Sequence, residues 1–166
     1  MKEEFRILST TAILGYGFPK ESFEEGMKRH PHLIAVDAGS SDPGPYYLGA
    51  GVSFTDRDAV KRDLEIMLEA GVKEGIPVVI GTAGGSGGEP HLNWCREIVE
   101  EIAREKDLHF KLAVIHAEFA KEAVKAALRA GKVKPLAPAP ELTEEAVDAT
   151  TRIVGQMGMG PFIKAL

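Results

Sequence analysis

The chain has 166 residues, of which 44% are hydrophobic and 27% are charged, and its formal net charge is -5. This composition argues against disorder, and the length suits one domain with a core of its own. The acidic balance argues against nucleic acid and anionic membranes as partners, and no apolar run approaches the about 20 residues that span a bilayer. The N-terminus is charged, and the single cysteine, Cys95, cannot form an internal disulfide. We therefore predict a soluble cytoplasmic protein.

Amide side chains are almost absent from the chain. Asn93 and Gln156 are the only two, whereas Glu and Lys are abundant. Because amides are thermolabile and ion-pairing residues are enriched in heat-stable proteins, this bias predicts a thermophilic source.

Short apolar runs alternate with amphipathic stretches from the start of the chain. We predict strands over residues 5–9 and 32–36, with a helix over 20–29 between them. The second run is almost continuously apolar, as in strands buried on both faces of a parallel sheet. Residues 38–54 have no periodicity and are rich in Gly, Ser and Pro, so we expect a long loop there.

The next helix is predicted to begin at a Thr55 cap and to end near Ala70, because apolar residues recur on one face between them. A third strand is predicted over 76–80, followed by a glycine-rich window over 81–88. Pro90 suits the first turn of a further helix, on which Cys95 lies in the apolar stripe and is predicted to be a core residue.

The second half of the chain continues the alternation. We predict a fourth strand over 110–115, a helix over 119–130, an extended proline-rich stretch over 132–140, and a helix from a Thr143 cap to about Gln156. The last residues, 160–166, have the character of an opening helix, and we expect its apolar side chains to be packed.

This alternation predicts an α/β fold: a doubly wound, Rossmann-like parallel sheet of about four to five strands with flanking helices. In such sheets, ligands bind beyond the carboxyl ends of the strands. We therefore expect the loops after Ser9, Val36, Ile80 and Ile115 to converge on one site. Tyr16 and Gly17, in the first of these loops, are candidate ligand-binding residues.

The glycine window is the strongest local signal. It follows a strand and precedes a helix, where free N–H groups favour an anion such as phosphate, carboxylate or an oxyanion. The alternative is a loop that only needs unusual backbone angles. The candidate ligand-binding residues are Gly81, Thr82, Gly84, Gly85, Ser86 and Gly87.

Asp37 comes directly after the second strand, where catalytic carboxylates are common in α/β enzymes, and we predict a catalytic role for it. Ser40, Ser41 and Asp42 follow and are candidate ligand-binding residues. The alternative is that Asp37 caps a turn and that the Asp-Pro-Gly run beginning at Asp42 is turn chemistry only. We predict no metal ligation here.

His116 follows the fourth predicted strand and is the candidate acid–base residue, since imidazole exchanges protons near neutral pH. Glu118 is placed either at the site or at the start of the next helix. Glu89 and His91 flank the start of the helix after the glycine window, within reach of a ligand bound there. A role as satisfied strand-end residues is the alternative for His116 and Glu118.

Three motifs resemble the N-terminal part of the acyclic terpene utilisation AtuA family: residues 13–19, 35–49 and 81–85. The resemblance extends over nearly the whole chain and implies a link to catabolism of branched, CoA-linked acids, with the 37–49 and 81–88 segments in one site. Family members are considerably longer. We therefore expect a single α/β domain that is either an N-terminal portion or one subunit of a larger assembly.

Two functions follow as hypotheses. The first is an enzyme, or the ligand-binding half of one, acting on an anionic small metabolite such as a CoA thioester, a phosphorylated compound or a carboxylic acid. The second is a non-catalytic assembly module, a homo- or hetero-oligomer subunit whose site a partner chain completes. The sequence identifies no cofactor.

Overall fold

The computed structural model describes residues 4–40 and 43–166. Within them the chain is a mixed α/β fold with a three-stranded parallel sheet. None of the helices in these residues has the length and apolar character that a bilayer crossing requires. The elements are β1 (Ile7–Ser9), α1 (Lys20–Met27), β2 (Leu33–Asp37), α2 (Tyr46–Ala50), α3 (Arg57–Glu74), β3 (Val78–Gly81), α4 (Glu89–Glu105), α5 (Lys121–Arg129), α6 (Glu144–Ala149) and α7 (Met159–Ala165).

The sheet follows chain order, β1-β2-β3, and both strand pairs are parallel. Leu8 lies opposite Ile34, and Ile34 lies opposite Val78, so these side chains share one face of the sheet. The first three of the four predicted strands are confirmed, with bounds shifted by at most two residues. The reversal of strand order that defines a doubly wound sheet is not present among the described strands.

The core lies where the sheet meets α3 and α4. The predicted apolar faces of both helices are confirmed, because their apolar residues at helical spacing are buried. The buried hydrophobic cluster comprises Leu14, Phe23, Ile34, Val36, Ala38, Val60, Leu64, Met67, Leu68, Cys95, Ile98, Val99 and Ile102.

Helix α3 begins one residue later than predicted and ends four residues later. Its N-cap is Asp56, whose carboxylate accepts from two backbone N–H groups, whereas the Thr55 hydroxyl is paired with Ser53 at 2.9 Å. The helix passes through Gly71, which packs against Val78, and ends at Gly75 in the left-handed conformation.

The ion pairs between α3 and α4 show that the two helices run in the same direction. Arg57 pairs with Glu101 at 2.5 Å, and Lys106, just beyond α4, pairs with Glu65 and Glu69. As the chain advances along α3, its partners advance along α4, so the two helices run in the same direction. This is the arrangement expected when successive helices connect parallel strands.

The predicted fourth strand is the main disagreement with the structure. Residues 110–115 form no strand, and Phe110 and Leu112 are exposed. The segment nevertheless runs in the expected direction. It starts shortly after Lys106, which pairs with Glu65 and Glu69 of α3. It ends where His116 contacts Glu89, at the start of α4. A strand needs a hydrogen-bonded neighbour as well as an apolar sequence, and this segment has none within the described residues.

Three further expectations need correction. The predicted long loop over 38–54 contains the short helix α2. Helix α6 begins at its predicted Thr143 cap but stops at Ala149, and its C-cap Thr150 has extended backbone. Helix α7 confirms the predicted opening helix, yet Ile163 and Leu166 are exposed, because no element covers that side of α7 in the described residues.

Candidate functional site

The loops that follow the strands converge, as the sequence predicts. The backbone N–H of Leu14, after β1, donates to the carbonyl of Asp37 at the end of β2, at 2.8 Å. Gly39, after β2, lies so close to the Thr82 side chain that an added Cβ would be 2.3 Å from it. The carboxyl edge of the sheet therefore gathers three of the four predicted loops into one surface.

Asp37 ends β2 opposite Gly81, at the end of β3. Its Oδ1 accepts from the backbone N–H of Gly39 at 2.9 Å, and the residue is exposed. Asp37 therefore caps a turn, which is the alternative role that the sequence predicts for it. Ser40 follows and is half-buried, whereas Ser41 and Asp42 lie outside the described residues.

Two glycines of the glycine-rich window allow close packing between this loop and other parts of the chain. Gly84 and Gly85 are buried in a short 3-10 turn, where an added Cβ would lie 2.2 Å from the His91 carbonyl and 2.9 Å from Phe54, respectively. Close packing therefore requires glycine at both positions. In contrast, no atom of the described residues lies within 4 Å of a Cβ added at Gly87. The outward part of the window is formed by Thr82, Ser86 and Gly87.

The first glycine loop surrounds a carboxylate that belongs to the chain itself. The backbone N–H groups of Gly15 and Gly17 donate to Asp63 Oδ2 at 2.9 and 3.0 Å. Both glycines have positive φ, and their N–H groups, on either side of Tyr16, point toward one anion. Asp63 is 1% exposed, and its other oxygen pairs with Arg62. Tyr16, between the glycines, projects into solvent.

Sequence reasoning missed Asp63, although a signal was available. It lies on α3 between Val60 and Met67, at the spacing that places a residue on the apolar face. An acidic side chain in the middle of an apolar face indicates a buried partner, which here is the loop over Gly15 and Gly17.

The start of α4 also holds a carboxylate from the same chain. Glu118 Oε2 accepts from the backbone N–H of Glu89 at 2.8 Å. Arg152 approaches the same oxygen at 4.0 Å and donates to the carbonyl of Gly49 at 2.7 Å. Glu118 therefore caps α4, and α5 begins later, at Lys121. An anion at this helix terminus would have to compete with Glu118.

His91 is a structural residue. It is 1% exposed, and its Nε2 lies 3.0 Å from the carbonyl of Tyr47 and 3.1 Å from that of Val52. Two carbonyl acceptors place the proton on Nε2. The Nδ1 atom is buried without a hydrogen-bond partner in the described residues. The ring joins α4 to α2 and does not reach the surface on which a ligand would bind.

His116 pairs with Glu89 at the surface. Its Nδ1 lies 2.8 Å from Glu89 Oε1, and its side chain is 64% exposed. The carboxylate places a proton on Nδ1 and leaves Nε2 toward solvent. Glu89 directly follows the glycine window, so this pair, termed the Glu89–His116 dyad below, borders the converged loops.

The predicted catalytic residues are not in contact. Among the described residues, no hydrogen bond or ion pair joins Asp37 to His116, and no group of three potential metal ligands is present. Cys95 is buried as predicted. Burial raises the pKa of its thiol to about 11, which disfavours the nucleophilic thiolate.

Comparison with protein-family models, with curated proteins and with solved structures finds no match to this chain.

Proposed function

We propose that this chain is an α/β enzyme, or the ligand-binding part of one, that acts on an anionic small metabolite at the carboxyl edge of its sheet. The observation that carries the proposal is the exposed Glu89–His116 dyad, with a 2.8 Å contact directly after the glycine window. A histidine that is oriented by a carboxylate, with its other ring nitrogen accessible to a ligand, can act in general acid–base chemistry.

His116 is the acid–base residue in this proposal. Its Nε2 takes a proton from a bound ligand or returns one, while Nδ1 stays protonated toward Glu89. Glu89 is a positioning residue, since its carboxylate lies 2.8 Å from Nδ1 and holds the ring in place. Asp37 ends β2, the strand that pairs with β3, and among the described residues the only hydrogen bond of its side chain is the turn contact with Gly39.

The anionic group of the ligand would bind near the outward part of the glycine window. Thr82 and Ser86 supply hydroxyl donors there, and protonated His116 supplies the positive charge. The N-terminus of α4 contributes less to anion binding than the sequence predicts, because Glu118 already accepts from the Glu89 N–H. A CoA thioester, a phosphorylated compound or a carboxylic acid fits this chemistry. The resemblance to the AtuA family favours a CoA-linked acid.

Calorimetric titration with acetyl-CoA, ATP and succinate tests this proposal. We expect binding of at least one of them, weakened about tenfold or more by His116→Ala, since a charge-assisted hydrogen bond contributes about 1.5–3 kcal/mol. His109→Ala is the matched control, because His109 is also solvent-exposed and is paired with Asp107 instead. Binding that is absent for all three probes, or equal in both variants, contradicts the proposal.

The second candidate function is an assembly module without chemistry of its own. The observation that favours it is the large solvent-accessible surface of the isolated chain. The chain exposes 10666 Å², whereas a compact monomer of this mass exposes about 8,000 Å². A surplus of about 2,600 Å² is more than the about 800 Å² that each partner contributes to a standard protein interface.

A further inference from the structure

Residues 109–116 lie along the molecule without backbone pairing. Among the described residues, none of their N–H or C=O groups has a hydrogen-bond partner. Phe110 is 37% exposed and Leu112 is 45% exposed. Unpaired backbone beside exposed apolar side chains is the property that makes a strand edge associate with another chain.

Of the features that protect natural edges, this segment has only the charge of Lys111. It contains no proline and no glycine, and Lys111 is its only lysine or acidic side chain. Inward charges, proline and bulges are the usual ways in which exposed edges avoid pairing. An apolar segment of this kind, with unpaired backbone groups, is a site at which another chain can pair.

We propose that a second copy of this chain covers it. The 109–116 segments of two protomers pair antiparallel across a two-fold axis, so that each supplies the hydrogen-bond partners that the other lacks. The surplus surface of the isolated chain is large enough for the about 800 Å² per protomer that a stable interface needs.

The sequence of the segment suits a register centred on Leu112. In an antiparallel pair, opposed residues share a face. This register sets Leu112 opposite its own copy and Phe110 opposite Val114 of the partner subunit, which joins the apolar faces. Lys111 then lies opposite Ala113 of the partner subunit, so that no like charges oppose each other. The pairing also fixes the end of the segment, where His116 contacts Glu89.

This inference holds whether or not His116 reacts with a ligand, so its experiment measures association and not activity. We expect the full chain to sediment at twice its monomer mass. Leu112→Cys should form an intermolecular disulfide under mild oxidation, because opposed residues of such a pair have Cα atoms about 4.5–5.5 Å apart. Leu136→Cys is the matched control, since Leu136 is 87% exposed and lies outside the segment.

Where Leu112 opposes its copy in a non-hydrogen-bonded pair, the Ala113 N–H faces Lys111 of the partner subunit, and Ala113→Pro tests the pairing by removing that donor. We expect a monomer with an unchanged circular dichroism spectrum. A monomeric wild-type chain overturns the proposal, as does a dimer in which Leu112→Cys and Leu136→Cys crosslink equally. If Ala113→Pro unfolds the chain, the crosslinking comparison alone decides the matter.

Discussion

Glu118 accepts the backbone N–H of Glu89 at 2.8 Å, so the start of α4 is neutralised by a carboxylate of the same chain. Asp63 does the same for the N–H groups of Gly15 and Gly17. Two positions that resemble anion sites in the sequence thus already hold an internal anion. The candidate ligand surface is thereby reduced to the outward glycine window and the Glu89–His116 dyad.

Removing the Glu118 carboxylate should open the start of α4 to external anions. We expect Glu118→Ala to lower the stability by about 0.5–2 kcal/mol, as for a lost N-cap. Added phosphate should then raise the melting temperature of Glu118→Ala more than that of the wild type. Glu97→Ala is the control, because Glu97 is an exposed carboxylate on α4 itself. Equal responses to phosphate would contradict the internal-anion interpretation.

Asp63 should be essential for the stability of the first loop. We expect Asp63→Ala to lower the free energy of unfolding by about 2–4 kcal/mol, since two N–H groups lose their acceptor. Asp63→Asn keeps an oxygen acceptor but loses the charge, and should lower it by about 1 kcal/mol. Urea denaturation measures both. The exposed Asp58, on the same helix, serves as control as Asp58→Asn, with an expected change within about 0.5 kcal/mol.

Gly84 and Gly87 form a matched pair for the structural role of the glycine window. Both have positive φ, at 69° and 70°, but only Gly84 is packed against the backbone of His91. Gly87→Ala should lower the stability by about 1–2 kcal/mol through backbone strain alone. Gly84→Ala adds a clash with the His91 backbone, and it should lower the stability by more than about 4 kcal/mol. Thermal unfolding of the two variants tests this, and similar losses would show that the close approach is not required.

The ion pairs between α3 and α4 should make the chain sensitive to acid. Hydrogen bonds from Arg57 and Lys61 lower the pKa of Glu101 from 4.5 to about 2. A carboxylate with a depressed pKa stabilises the fold above its unfolded value, and this contribution is lost as the pH falls from 4.5 toward 2. Glu101→Gln should therefore melt a few degrees below the wild type at pH 7, and the two should converge near pH 2.

The control for this experiment is Glu97→Gln, because no ion pair of Glu97 is formed among the described residues. Its melting temperature should stay close to that of the wild type at every pH. A Glu101→Gln difference that persists at pH 2 would mean that the variant acts through packing and not through charge.

Local sequence patterns predicted much of this fold. The apolar stripe around Ile98, the Thr143 cap and the strand over Leu33–Asp37 each depend on neighbours close in the chain. Residues 110–115 show the limit of such patterns, because their apolar character is that of a buried strand. Pairing depends on a partner that no local window contains.

The candidate site was predictable only in part. His116 follows an apolar run, and that position indicated the carboxyl edge correctly. The contacts that determine its surroundings are distant in sequence: Glu118 on the Glu89 N–H and Arg152 on the Gly49 carbonyl. A glycine cluster in the sequence also does not reveal whether it binds a ligand or packs against the chain. Positive φ suits both a bound ligand and a close approach by the chain itself, as at Gly84.

The most direct test of the proposed site is imidazole NMR during titration with acetyl-CoA, ATP and succinate in turn. The proposal predicts that the Nε2 resonance of His116 moves on binding, that the His109 resonances stay unchanged, and that Glu89→Gln reduces the shift. Binding that leaves the His116 resonances unmoved, or that moves those of His109 equally, would contradict a ligand site at the Glu89–His116 dyad.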